Sequence, residues 1–271
     1  MYEFDHAAPV TLVLRAQGGL VEVIAEERLH IEVDVQPLDS SDAGREAAEK
    51  TRVELEDDTL IVQTPGSEHW LWRRTPKLWI RARVPIGSAL HAKSSAADLR
   101  AAGVWSSAQI NVASADVDVA EVTGDAHLDA ASGDIVIGRV GGALVAKSAS
   151  GALRIGDVTG DVNAQTASGN IRTGALESGV RAGSASGDIE IGRLRQGKAS
   201  VKTASGDVQV GVAPGSGVWM DLNTASGRST SDLTATGDIP PTGTTASLEL
   251  KIRTASGNIH VHRTTETAKA A

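Results

Sequence analysis

Asp98, Asp116, Asp134, Ala152, Asn170 and Asp188 stand 18 residues apart without exception, and Asp207, Arg228 and Asn258 continue the column at spacings of 19, 21 and 30. Each 18 divides again into nines: Gly124, Gly133, Gly142, Gly151, Gly160 and Gly169 follow in five equal steps. A fixed period over so much of a chain constrains the fold more than any other property. A unit this short cannot bury a face by itself and is stable only when stacked on its neighbours. The repeated phrase reads "AASGDIVIG" from Ala130, "SASGDIEIG" from Ser184 and "TASGDVQVG" from Thr203. In it, polar and apolar residues alternate between glycines, which is the pattern of a short strand. The spacing predicts an all-β fold, a single β-solenoid with 18-residue coils of two strands each.

The two halves of a coil differ. In the half leading to the Ser-Gly corner the expected inward residues are mostly small: Leu144, Ala146 and Ala149; Val162, Ala164 and Ala167; Val180, Ala182 and Ala185. The following half offers larger ones: Ile135, Ile137 and Val140; Leu153, Ile155 and Val158; Ile189, Ile191 and Leu194. Large facing small fills a thin interior without aromatic residues, which suits a chain with 3% aromatics, one Phe and one Tyr. At the corner, glycines are expected to supply backbone angles that a Cβ resists. The Asp column is expected to accept backbone N–H bonds, and the serines Ser132, Ser150, Ser168, Ser186 and Ser205 to add corner hydrogen bonds. A calcium roll would need G-G-x-G-x-D with converging carboxylates, and the column also holds Ala152 and Arg228.

Residues 1-92 are expected to form a β-rich N-terminal cap with the first coils, 93-263 the solenoid, and 264-271 a disordered tail. Within the cap, "SSDAGREAAEKT" predicts one short helix at about Asp42 to Thr51, and "TRVELEDDTLIVQTP" predicts two strands about an Asp57-Asp58 turn. The segment Arg228 to Thr245 reads as a loop, with "SLELKIRTASGNIHVHR" closing the stack after it. A net charge of −8 argues against a nucleic-acid binder. The lack of cysteine excludes thiolate chemistry. No stretch reaches the roughly 20 apolar residues of a membrane span, and "MYEFDHAAPVTLVLRAQ" lacks the regions of a signal peptide, so a cytoplasmic location is expected.

Through "GGLVEVIAEE", the "TRVELEDDTLIVQTP" hairpin, "TASGDVQVG", "VWMDLNTASG" and "IRTASGNIHV", the chain resembles over nearly its whole length the actinobacterial β-strand-repeat proteins of unknown function, labelled adhesins and grouped with toastrack β-solenoids. The resemblance implies a scaffold or binding module in an envelope-stress or regulatory system. It implies no catalytic residues, and its adhesin label implies export.

Chemistry-bearing residues are few. His260 and His262 alternate on one strand and form a weak candidate for a metal pair, with no third ligand in sight. No nucleophile-elbow, zincin or phosphate-loop motif occurs, and no cofactor is expected. The compositional outlier is "HWLWRRTPKLWIRAR" from His69. Its Trp70, Trp72, Arg73, Arg74, Lys77 and Trp79 form a candidate surface for a protein partner, since Trp and Arg dominate binding hot spots. The competing reading packs the tryptophans over the solenoid end, with Leu78, Ile80, Ala82 and Val84 facing inward. Function thus reads as a non-enzymatic scaffold or protein-binding module. The alternatives are a self-assembling, bactofilin-like filament and a surface adhesin. A carbohydrate-active β-helix enzyme fits poorly, because no Phe, Tyr or Trp lies between Trp105 and Trp219.

Overall fold

The computed structural model describes residues 1–66, 76–233 and 247–265. These form an almost wholly β structure with one helix and predominantly parallel strands, the solenoid that the period predicts. The chain divides into two compact units, Met1–Arg139 and Val140–Ala271.

The first unit comprises β1 (Tyr2–Phe4), β2 (Thr11–Glu26), β3 (Ile31–Pro37), α1 (Asp42–Glu49), β4 (Arg52–Glu56), β5 (Thr59–Gln63), β6 (Leu78–Pro85), β7 (Ala89–Trp105), β8 (Ser107–Ser114), β9 (Val117–Val122), β10 (Ala126–Ser132) and all but the last residue of β11 (Ile135–Val140). Strands β2 and β7 are long enough to serve both halves of a coil, and they pair in parallel from Thr11↔Ala89 to Ala25↔Gly103. On one flank β7 continues into the regular coils, with its first half on β8 and its second on β9. On the other flank β2 carries β5 on its first half and β6 on its second. Beyond them the pairing turns antiparallel, β6 with β3, β3 with β1 and β5 with β4.

Helix α1 forms where expected and ends two residues early, at Glu49. The Ser41 hydroxyl accepts from the Gly44 N–H at 3.0 Å, an N-cap, and the helix buries Ala47 against β3. The β4–β5 hairpin turns at Asp57, whose φ is 50°. Leu78, Ile80, Ala82 and Val84 are all buried along β6.

The second unit comprises β12 (Leu144–Ser150), β13 (Leu153–Val158), β14 (Val162–Ser168), β15 (Ile171–Leu176), β16 (Val180–Ser186), β17 (Ile189–Leu194), β18 (Gly197–Ser205), β19 (Val208–Val212), β20 (Val218–Ser226), β21 (Ser229–Ser231), β22 (Leu248–Ser256) and β23 (Ile259–Arg263). Coils stack in order through β18 and β19, and then sequence order fails. Strand β22 pairs with both β18 and β20, and β23 with both β19 and β21. The last coil of the sequence therefore lies inside the stack, between two coils that precede it. "SLELKIRTASGNIHVHR" does not close the stack but completes its interior.

The larger half-coil residues face inward as expected: Leu153, Ile155, Val158, Ile189, Ile191 and Leu194 are buried. The small half corrects one position. Ala149, Ala167 and Ala185 are exposed, and the third inward place belongs to Ser148, Thr166 and Ser184. Strict alternation along a strand demands this. The cost of an inward hydroxyl is offset by a hydrogen bond, because Thr166 and Ser184 donate to the carbonyls of Gly151 and Gly169 in the preceding coil, and Thr203 to that of Gly187. The corner hydroxyl bonding thus runs through this column, while Ser132, Ser150, Ser168, Ser186 and Ser205 sit exposed beside it.

The Asp column accepts backbone N–H bonds as expected, but from the neighbouring coil rather than its own turn. Asp98 accepts from the Asp116 N–H at 3.1 Å and Asp116 from that of Asp134 at 2.9 Å. In the second unit Asn170 accepts from Asp188, Asp188 from Asp207, Asp207 from Asn258 and Asn258 from Arg228. Corner glycines are required chiefly by close stacking: a Cβ on Gly257 would lie 2.0 Å from the Gly206 carbonyl oxygen.

Candidate functional site

Four of the six residues of the aromatic-basic segment, Trp70, Trp72, Arg73 and Arg74, lie outside the described residues. Lys77 is exposed, and its carbonyl accepts from the Leu38 N–H at 2.9 Å. Trp79 is half-buried on β6, in register with Leu20 of β2. Its indole N–H donates to Glu22 Oε2 at 2.9 Å, and Arg81 reaches the same oxygen at 3.2 Å. The Arg81 guanidinium also stacks over the Trp79 ring, 4.4 Å from its centroid. The indole hydrogen bond, followed by the Arg81 charge, holds the Glu22 carboxyl below its ordinary range against the opposing effect of burial.

His260 and His262 do share one face of β23, with rings stacked 5.3 Å apart. His260 Nδ1 lies 3.0 Å from the Thr230 hydroxyl and its Nε2 lies 3.7 Å from Asp232, so the first ring is engaged by β21 and the residue after it. Among the described residues, no three His, Cys, Asp or Glu side chains come together as metal ligands would.

A third place emerges only from the structure. The outward faces of β2, β7, β8 and β10 enclose a trough of about 330 Å³, lined by Val13, Arg15, His91, Lys93, Gln109, Asn111, His127 and Asp129. Two rows cross it. Val13, His91, Gln109 and His127 are successive register partners, and so are Arg15, Lys93, Asn111 and Asp129. Both rows step by 18 from β7 onward, so the period that places the core also places them. The sequence signal was present in the outward positions. Val13 and Arg15 carry no such signal, because β2 joins β7 across 78 residues of chain.

No protein-family model matches the chain, and no curated protein matches it. Among solved structures it is similar to a putative adhesin from Bacteroides fragilis NCTC 9343, with TM-score 0.51 and 10% identity over 96% of this chain and 95% of that one. Putative adhesins from Parabacteroides merdae ATCC 43184 and Parabacteroides distasonis ATCC 8503 match with TM-scores of 0.37 and 0.34. Their identities are 13% and 12%, over 97% and 93% of this chain and 95% and 94% of theirs. The likeness to the first is one of fold.

Proposed function

We propose that this chain is a non-catalytic binding module of the adhesin kind, in which stacked coils form a rigid scaffold and outward side chains meet a macromolecular partner. The observation that carries the reading is the way the polar side chains are divided. The hydroxyls of Thr166, Ser184 and Thr203 and the corner Asn170 and Asp188 side chains are committed to coil-to-coil bonds, whereas outward side chains stand in columns held at fixed spacing by the strand register. Such a surface presents side chains at little entropic cost on binding. The fold likeness to a protein named a putative adhesin supports the same reading, as does the resemblance to β-strand-repeat proteins grouped with adhesins and toastrack domains.

Partner contact is assigned to the aromatic-basic segment, whose fixed shoulder is the Trp79–Glu22–Arg81 cluster. The test uses the full chain and its Trp72→Ala/Arg74→Ala variant as baits against extract of the native host. A partner should be retained by the first and weakened by about 2 kcal/mol or more in the second, with an unchanged melting temperature. A lowered melting temperature with the interaction intact overturns the assignment. Retention of nothing by the unmodified chain overturns the reading itself.

A further inference from the structure

The trough in the first unit has a charge arrangement unlike that of the other strand faces. Side chains directly in register on neighbouring strands are close enough to repel when they carry the same sign. Several described registers place opposite charges together. Arg172 faces Glu190 at 3.1 Å, Lys198 faces Glu249 at 3.3 Å and Arg81 faces Glu22 at 3.2 Å. Where two cations do meet, a carboxylate attends them. Arg154 and Arg172 are in register beside Glu190, and Lys202 and Arg253 are in register with Asp221 lying 3.7 Å from Arg253.

Arg15 and Lys93 break this rule. They are register partners, both are exposed, and neither has an ion-pair partner among the described residues. Asp129, the one acid among the described residues of the trough, lies at the far end of the row and is engaged by His127 at 2.6 Å. Among the described residues, a protein of net charge −8 thus keeps two adjacent cations without a neutralising carboxylate at the edge of a depression, which is repulsive unless an anion sits between them.

The rest of the lining narrows the ligand. Gln109, Asn111 and His91 each offer hydrogen-bond donors and acceptors, as hydroxyl groups require. Among the described residues, no aromatic side chain other than the two imidazoles lines the trough, so recognition there rests on charge and hydrogen bonds rather than stacking. Strands β2, β7 and β8 are each paired on both sides, so no free edge here invites an extended peptide. The volume falls at the small end of the roughly 300–1,000 Å³ typical of small-ligand sites.

We propose that this trough binds the carboxylated sugar units of an acidic saccharide, with Arg15 and Lys93 holding the carboxylate and His91, Gln109 and Asn111 the hydroxyls. The site extends the binding-module reading to a second surface and is independent of the aromatic-basic segment.

Calorimetric titration of the full chain with an α-1,4-linked galacturonate tetramer tests it, alongside the fully methyl-esterified tetramer and hexaglutamate. The tetramer should bind, more weakly as salt rises. The ester and hexaglutamate should each bind at least about tenfold more weakly, and Arg15→Gln/Lys93→Gln should lose at least about tenfold while melting no lower than the unmodified chain. Gln109→Ala/Asn111→Ala should weaken the tetramer while leaving its salt dependence in place. The assignment is overturned if the unmodified chain does not bind the tetramer, if the ester binds as well, if the cation variant binds unchanged, or if hexaglutamate matches the sugar. None of these outcomes touches partner capture through Trp72 and Arg74, so the two proposals fail separately.

Discussion

Two coils of the second unit are written in nearly the same words, "DLNTASGRSTSD" from Asp221 and "KIRTASGNIHVH" from Lys251, and they meet different fates. The second is sandwiched: β22 and β23 have neighbours on both sides, and Leu248, Leu250, Ile252, Ile259 and Val261 are fully buried. The first has one described neighbour coil, and Val218, Met220 and Leu222 are only half-buried. The residues that differ explain the order. Where the sandwiched coil has Ile259 and Val261, its neighbour has Ser229 and Ser231 in register. A coil with serine at its inward places gains little from a second neighbour. One with isoleucine and valine loses much without it, at roughly 25 cal/mol for each Å² left uncovered. The chain returns from β21 to place the apolar coil inside. The acceptor column also ends in this coil, since Arg228 takes the Asn258 bond and has no side-chain oxygen to offer onward.

The sharpest way to break this comparison is to put a carboxylate at both places. Ile259→Asp should cost about 3–5 kcal/mol, because the charge enters a site with no partner for it. Ser229→Asp, on the exposed β21, should stay within about 0.5 kcal/mol. Thermal unfolding of the two variants measures both. Equal losses would mean that sequence order, with β20 and β21 inside, is the true stacking.

A second contrast uses glycine. Cβ atoms built on Gly257 and on Gly227 would each lie 2.0 Å from a carbonyl oxygen of the adjoining coil. The sandwiched coil cannot shift without disturbing two neighbours, so Gly257→Ala should lose about 1–3 kcal/mol. Gly227→Ala should lose less than half as much, because its coil has one described neighbour instead of two. Urea midpoints at unchanged slope would report the difference.

The period made the coil legible, because core placement, corner chemistry and register all repeat with it. Ile189 and Glu190 illustrate the success: the first is buried and the second is exposed against Arg172. What escaped was non-periodic. Ala149 suggests an inward place because it is apolar, although strict alternation and the bond from Thr166 to Gly151 assign that place to the hydroxyl column. The inserted coil escaped because a spacing of 30 says that chain has been added and not where it goes. Yet Ser229 and Ser231 already marked the coil that could afford an open side. In the trough, His91, Gln109 and His127 were readable as an outward column, whereas Arg15 reaches Lys93 only through the long pairing of β2 with β7.

Within a sandwiched coil, Thr173 sharpens the same lesson from the other side. It takes the inward place in register with Ile155 and Ile191, and its buried hydroxyl has no hydrogen-bond partner among the described residues. Thr173→Val keeps the shape and removes the unpaired group, so it should raise stability by about 1 kcal/mol. A lower melting temperature would show that the hydroxyl is satisfied by water.

The smallest expected effect belongs to the opposite kind of end, the antiparallel cap of the first unit, where a carboxylate joins β2 to β6. Glu22 is held below its ordinary value of 4.5 by the Trp79 indole N–H first and by Arg81 after it. A carboxyl with a lowered folded pKa binds protons more readily when unfolded. Its contribution is therefore fully present above the unfolded pKa and disappears as pH falls through the folded one. The cap should weaken as pH drops below about 4.5, seen as faster amide exchange in β6 and a shift of Trp79 fluorescence relative to the other tryptophans. Glu22→Gln, which keeps a hydrogen-bond acceptor for the indole but cannot titrate, should flatten that dependence at a cost within about 1 kcal/mol at neutral pH, since the site is partly exposed. Glu22 and its partners lie in the first unit, so amide exchange in β20 and β21 should not follow the Glu22 titration. If both ends loosen together over that pH range, and the Glu22→Gln chain does the same, then acid acts on the coils throughout and the cap is not held by this carboxylate.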